Sequence, residues 1–149
     1  MRAVVQRVSS ARVTIEGQEA ARIEGGVLVY AGVGEKDRPA DAEYLATKIR
    51  YLRIFPDAAG KMNLDVAQAG GGVIVVSNFT LLADARQGRR PDFTAAEDPA
   101  AATKLYERMC ALLREAGLTV QTGKFGAMMR VEAVNDGPIN ILLDSKRLF

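Results

Sequence analysis

The sequence predicts a mixed α/β fold: one domain over residues 1–149, with a mostly antiparallel sheet, layered or barrel-like, and two main helices on one side. Three observations carry this. Apolar residues alternate in several short stretches, as at Val13 and Ile15, the period of half-buried strands. Two longer stretches, opening near Asp37 and Asp98, repeat their apolar residues at helical spacing. The elements run strands, helix, strands, helix, strands, an order that suits a largely antiparallel sheet with helices to one side.

In chain order, residues 2–8 and 11–16 read as strands, and Glu16-Gly17-Gln18 as a hairpin turn into 19–23. Gly25-Gly26 opens an apolar run from Val27 to Val33. Asp37 is expected to cap a helix with Pro39 in its first turn, and Ala42, Leu45, Ile49 and Leu52 mark its apolar face. Pro56-Asp57-Ala58-Ala59-Gly60 is a turn, and Gly70-Gly71-Gly72 is turn chemistry ahead of a strand at Val73–Val76. Asp98-Pro99 starts the second helix, whose face carries Ala102, Leu105, Met109, Leu112, Leu113 and Ala116, and Gly117 ends it. Cys110 lies beside that face and reads as a small core residue. Strands are expected near 118–122, 128–134 and 139–144.

Composition narrows the chemistry. The net charge is only +2 over 149 residues, so contact with RNA has to come from a local patch rather than a global field. Arg2, Arg7 and Arg12 interrupt any apolar leader, no apolar run reaches membrane-spanning length, and a cytoplasmic location away from any membrane is the default expectation. One cysteine and no histidine exclude an internal disulfide, a Ser-His-Asp or Cys-His catalytic unit and a His/Cys zinc site. No metal or cofactor is expected. A hydrolase built from this chain must use backbone amides, hydroxyls, carboxylates, lysine or a group on its substrate.

Several motifs fail. Gly32-Val33-Gly34 lacks the third glycine of a nucleotide loop. Gly117 to Lys124 has one residue too many between its glycines for a phosphate loop, and Phe125 stands where a magnesium-binding hydroxyl belongs. The aspartates are scattered, with no spacing that pairs two for acid/base work.

Two segments survive. In Val75-Val76-Ser77-Asn78-Phe79-Thr80, a buried strand turns abruptly polar, and an arginine-rich loop with Arg86, Arg89 and Arg90 follows. Polar groups at the end of a buried strand cost free energy unless the fold or a ligand pairs them. The second segment, Asn135-Asp136-Gly137-Pro138, reads on its own as a hairpin turn between strands.

Together with Val5-Gln6-Arg7-Val8, Arg53-Ile54-Phe55, Gly60-Lys61-Met62-Asn63-Leu64, Gln68-Ala69-Gly70-Gly71, Phe79-Thr80-Leu81, Arg90-Pro91, Thr122-Gly123, Phe125 and Met129, these segments resemble the D-aminoacyl-tRNA deacylases over nearly the whole chain. The resemblance implies a deacylase-like fold and a homodimer with its active sites at the subunit interface. It implies hydrolysis of the ester joining a D-amino acid, or glycine mischarged on tRNA(Ala), to the terminal adenosine of tRNA. It places the reacting ester against Ser77, Asn78, Phe79 and Thr80. Gly137 and Pro138, joined by a cis bond and inserted into the partner's site, would exclude L side chains, with Arg7 holding their loop. Phe125 and Met129 would lie near the adenosine, and plain core packing is the competing reading of both. Arg86, Arg89 and Arg90 would either meet tRNA phosphates or form a solvated loop that packs Pro91 and Phe93.

For Thr80 the resemblance leaves two roles, nucleophile or hydrogen-bonding residue, and no base for a nucleophile is evident. Two positions depart from the usual pattern: Asn78 stands for a glutamine and Asn140 for a threonine. They leave open a paralogue with altered substrate preference, or a non-catalytic module that binds the tRNA acceptor end.

Overall fold

The computed structural model describes residues 1–149. Strand β1 (Arg2–Ile15) is followed by β2 (Gln18–Ile23) and β3 (Gly26–Gly32), then helix α1 (Pro39–Tyr51). A small hairpin, β4 (Phe55–Pro56) and β5 (Met62–Leu64), precedes β6 (Gly72–Ser77) and a 3-10 turn at Phe79–Leu82. Helix α2 (Pro99–Glu115), β7 (Val120–Thr122) and β8 (Arg130–Asp144) complete the chain.

The main sheet runs β2-β1-β3-β6-β7, with β8 on the other edge of β1. All three partners of β1 are antiparallel to it, as the alternating pattern predicts. β3–β6 and β6–β7 are parallel. The reason is that α1 and α2 serve as the crossover connections that parallel neighbours need. The unbroken apolar runs Val27–Val29 and Val73–Val76 are the signature of strands covered on both faces.

One face of the sheet packs against both helices, in a core that includes Val5, Val29 and Val75 from the strands, Leu45 and Ile49 from α1, and Met109 and Leu113 from α2. The other face curls around a second core of Val8, Val13, Ile23, Leu28, Ile74 and Val76. Closure is nearly complete: Gln121 on β7 uses its side chain as a strand, accepting from the Arg22 amide at 2.9 Å and donating to the Arg22 carbonyl at 2.5 Å.

Two expectations need correction. Asp37 does not cap α1. The amide of Arg38 donates to Asp41 Oδ2 at 2.7 Å, while Asp37 accepts from the Gly34 amide at 2.6 Å and lies 2.6 Å from the Met1 α-ammonium. The chain near 128–144 is one strand, not two joined by a hairpin, because both halves pair with the same strand β1 in one direction. Residues 136–139 leave that ladder between Gln6↔Asn140 and Val8↔Asn135 and bulge opposite Arg7.

The glycine run before β6 is more than a turn. A Cβ on Gly26, at φ +136°, would stand 1.9 Å from the Gly72 carbonyl oxygen, and Gly72 N donates to Gly25 O at 2.9 Å. Parallel strands start here in direct backbone contact. Gly26→Ala is expected to cost about 3 kcal/mol or more, from backbone strain plus overpacking. Gly60→Ala, also at positive φ but with nothing within 4 Å, should cost roughly 1 kcal/mol. Urea unfolding of the two variants checks the contrast.

Buried Asp41 offers a second test. Burial pushes its carboxyl upward, but the Lys146 ammonium, Ser145 and the Arg38 amide outweigh that and hold it at about 2. A depressed carboxylate stabilises fully above its unfolded value, about 4, and the contribution fades as pH falls towards 2. Asp41→Asn should therefore lower the unfolding midpoint at pH 7 and flatten the decline of stability between pH 4 and 2.

Candidate active site

Ser77 ends β6 opposite Ala31, and the amide of Asn78 donates to the Ala31 carbonyl at 2.8 Å. The strand cannot continue, because Asn78 turns its own side chain onto the backbone ahead. Asn78 Oδ1 accepts from the Thr80 amide at 3.1 Å and from the Thr80 hydroxyl, capping the 3-10 turn. The Leu81 amide donates to the Asn78 carbonyl at 3.4 Å and the Ala83 amide to the Thr80 carbonyl at 3.1 Å. The amide of Phe79 takes no part in this turn and loop network. The abrupt polarity of Ser77–Thr80 thus has two parts: Asn78 and Thr80 satisfy each other, and the Phe79 N–H is left for something else. Thr80 gives its proton to an amide oxygen, which is no base.

Three of these residues border a cleft of about 480 Å³. Ser77, Asn78 and Phe79 form one side, with Ala31 and Val33 beside them from β3 and its end. Glu97, Pro99 and Ala102 at the start of α2 form another, and Phe125 to Met128 the third. Asp98 caps α2 by accepting from the Ala100 and Ala101 amides, which sets where this wall begins. Glu97 is the one charged side chain on the lining, and it accepts from the Asp98 amide at 2.8 Å. Phe125 is placed by α2: its ring meets Tyr106 edge-on at 5.6 Å, and the Tyr106 hydroxyl donates to the Val75 carbonyl at 2.8 Å. Burial pushes the Cys110 thiol up to about 11, which keeps it a protonated core group.

Met129 stands apart from the cleft. It packs against the second core, and a Cβ on Gly123 would lie 2.3 Å from its sulfur. Met128, 91% exposed, lines the cleft instead. Glu97 and Met128 are missed by reading the sequence. Neither carries a motif, and only the path of the chain brings them to Ser77.

Arg7, Gly137 and Pro138 form a second cluster. The Gly137–Pro138 bond is cis, and both residues are exposed on the bulge of β8. Arg7 Nη1 donates to the Ile54 carbonyl at 2.7 Å, and Arg7 Nε lies 2.9 Å from Asp136 Oδ2. A row of amides fastens the bulge to β1. Gln6 Nε2 donates to Asn140 Oδ1 at 2.8 Å, and Asn140 Nδ2 to Asn135 Oδ1 at 3.0 Å. Asn135 Nδ2 donates to the Arg7 and Ile139 carbonyls, at 2.8 and 3.1 Å.

Within one chain the two clusters do not meet. Ala3, Ala31 and Ser77 share a row across β1, β3 and β6, and Arg7, Val27 and Val73 share another four residues away. At about 3.3 Å per residue and about 4.8 Å per strand, the bulge on β8 and the end of β6 are separated by roughly 20 Å.

Comparisons with known proteins identify the family and the fold. The family model described as D-Tyr-tRNA(Tyr) deacylase matches residues 4–144. The D-aminoacyl-tRNA deacylase of Anaeromyxobacter dehalogenans is 59% identical over 149 residues, all of both chains. A solved structure of the c-Myc DNA unwinding element binding protein superposes with a TM-score of 0.91 at 36% identity, covering 97% of this chain and 98% of that one. A probable eukaryotic D-amino acid tRNA deacylase shares the fold, with a TM-score of 0.84 at 15% identity, covering 95% and 97%. A match of this extent, joined to a capped polar strand end beside a cleft, places the chain in the D-Tyr-tRNA(Tyr) deacylase family.

Proposed function

We propose that the chain hydrolyses the ester of D-aminoacyl-tRNA, and of glycine mischarged on tRNA(Ala), while leaving L-aminoacyl-tRNA intact. The single observation that carries the chemistry is the uncommitted amide of Phe79, a residue on the cleft lining, between an amide held by β3 and one held by Asn78. A fixed donor aimed at the position of a developing oxyanion is worth about 2.7–4 kcal/mol. Water attacks the ester carbonyl, and negative charge grows on its oxygen against the Phe79 N–H. The bond to the ribose oxygen then breaks, releasing the D-amino acid and tRNA with a free 3′-hydroxyl. The neighbouring 2′-hydroxyl of the ribose assists the attack, supplying what a histidine supplies elsewhere. Phe125, with Met128 beside it on the lining, offers an apolar seat for the adenosine.

Stereochemical selection is assigned to Gly137 and Pro138 of a second copy. Their roughly 20 Å separation from Ser77 in the same chain supports this, because a four-residue bulge cannot span it. The free outer edge of β8 supports it too: a long strand paired on one side only, with Val134 and Leu142 about 58% and 59% exposed, invites a two-fold partner. Backbone carbonyls offered from the partner would crowd an L side chain and tolerate hydrogen, a filter that works by repulsion.

Purified protein without added metal is expected to release D-tyrosine from D-tyrosyl-tRNA and to spare L-tyrosyl-tRNA. Loss of both esters, or of neither, rejects the reading. Arg7→Ala frees Asp136 and one side of the bulge. It should speed cleavage of L-tyrosyl-tRNA by about tenfold, the scale of one charge-assisted contact, and change D-tyrosyl-tRNA cleavage much less.

Thr80→Val separates two chemistries. It removes a hydroxyl that donates to Asn78 but leaves every main-chain amide, so kcat should fall by roughly tenfold or less, the scale of one hydrogen bond. A nucleophile lost at this position would cost on the order of 10⁴-fold or more in single-turnover kcat.

A further inference from the structure

We propose that Phe93 and Phe79 form a stacking platform for the nucleotide that precedes the terminal adenosine of the tRNA. The inference rests on the acceptor-end reading above and concerns RNA outside the cleft.

Two of the five phenylalanines of the chain meet here, on the surface. Their rings lie 5.1 Å apart at 67°, with Phe79 56% and Phe93 37% exposed. Leaving this much aromatic surface in water forgoes a contribution to folding of about 25 cal/mol for each Å². Phe79 also lines the cleft, so the pair continues the surface on which the terminal adenosine would sit.

The mount is held on several sides. Asp84 and Asp92 exchange both backbone hydrogen bonds at 2.8 Å, closing the loop 85–91 at its base. Thr94 donates its amide and hydroxyl to Asp92 Oδ1 at 2.8 and 2.6 Å, and the Ala96 amide donates to the Phe93 carbonyl at 3.0 Å. Phe93 thus stands on a fastened turn, while the loop tip carries cations. Arg86 is spent on Asp84, but Arg89 and Arg90 are exposed and form no ion pair. Lys124, the residue before Phe125 on the third wall of the cleft, is also exposed and forms no ion pair. An aromatic step flanked by free cations fits a single-stranded nucleic acid, whose bases stack and whose phosphates need neutralising.

The test compares two substrates. One is D-tyrosyl-tRNA, and the other is 3′-O-D-tyrosyl-adenosine, which has the ester and the adenosine but no preceding nucleotide. Phe93→Leu should raise KM for the tRNA by about tenfold and leave kcat/KM for the adenosine ester unchanged; Phe93→Trp should restore the tRNA value. A tRNA with 2-aminopurine in the penultimate position should be quenched on binding the wild-type protein and less so on binding Phe93→Leu. Equal losses on both substrates, no change on either, or dissociation of a dimer by Phe93→Leu in sedimentation would overturn the platform. Wild-type protein that cleaves neither substrate would instead reject the deacylase reading.

Discussion

The hydrogen-bond ladders along both edges of β1 are the constraint on which the rest of this structure depends. On one edge β1 binds β3 through residues 2–8 and β2 through residues 11–15; on the other it binds β8 over nearly its whole length. A strand that serves three partners cannot shift by one residue without turning its core-facing side chains outward in every pairing. Val5 and Val13 lock it from opposite faces, the first in the core under the helices and the second inside the curled sheet. Arg7 sits where the ladder to β8 is broken, so the position of the Gly137–Pro138 bulge is fixed by the most constrained strand in the molecule.

At the far end of the same sheet the constraint works through β3. It holds the Asn78 amide by the Ala31 carbonyl, and just past its end Val33 O accepts from the Glu97 amide while the Glu35 amide donates to the Ala95 carbonyl, which brings the start of α2 over the cleft. The cleft is therefore assembled from the ends of elements whose middles are buried. A substrate ester placed there, as the proposed function has it, would meet main-chain atoms with little freedom to move, as oxyanion stabilisation requires. Stability and chemistry share the same backbone bonds.

Much of this was legible in the sequence. Alternation at Val13 and Ile15, helical spacing from Ala42 to Ile49, and the Asp98-Pro99 cap give the elements and their order, because local burial patterns are written in local residues. The parallel pairing of β3, β6 and β7 is carried less by alternation than by the unbroken apolar runs and by which helix connects which strand. Asp37 misled because an acid two residues before Pro39 looks like a cap, whereas long-range charges claim it. Asn135-Asp136-Gly137-Pro138 reads as a hairpin because turn chemistry does not tell whether the chain reverses; only pairing of both flanks with β1 decides that. Met129 and Met128 are neighbours that point to different environments, and no one-dimensional signal chooses between them.

The two departures from the usual family pattern have a common physical character. Asn78 and Asn140 both place a short amide beside a turn, and both use it on their own chain. A glutamine at 78 would carry its oxygen one methylene further from the Thr80 amide; the asparagine fits the two-residue reach of an Asx turn and needs nothing from a ligand. At 140 an amide offers a donor and an acceptor on separate atoms, and both are used, towards Asn135 and Gln6. A threonine hydroxyl cannot span those two partners from one oxygen as easily. Each asparagine spends its side-chain oxygen on its own chain, Asn78 in the turn that borders the cleft and Asn140 beside the bulge. Neither residue brings a charge, and each acts on the chain beside it: Asn78 on the Thr80 amide, Asn140 on the Asn135 side chain that holds the Arg7 and Ile139 carbonyls.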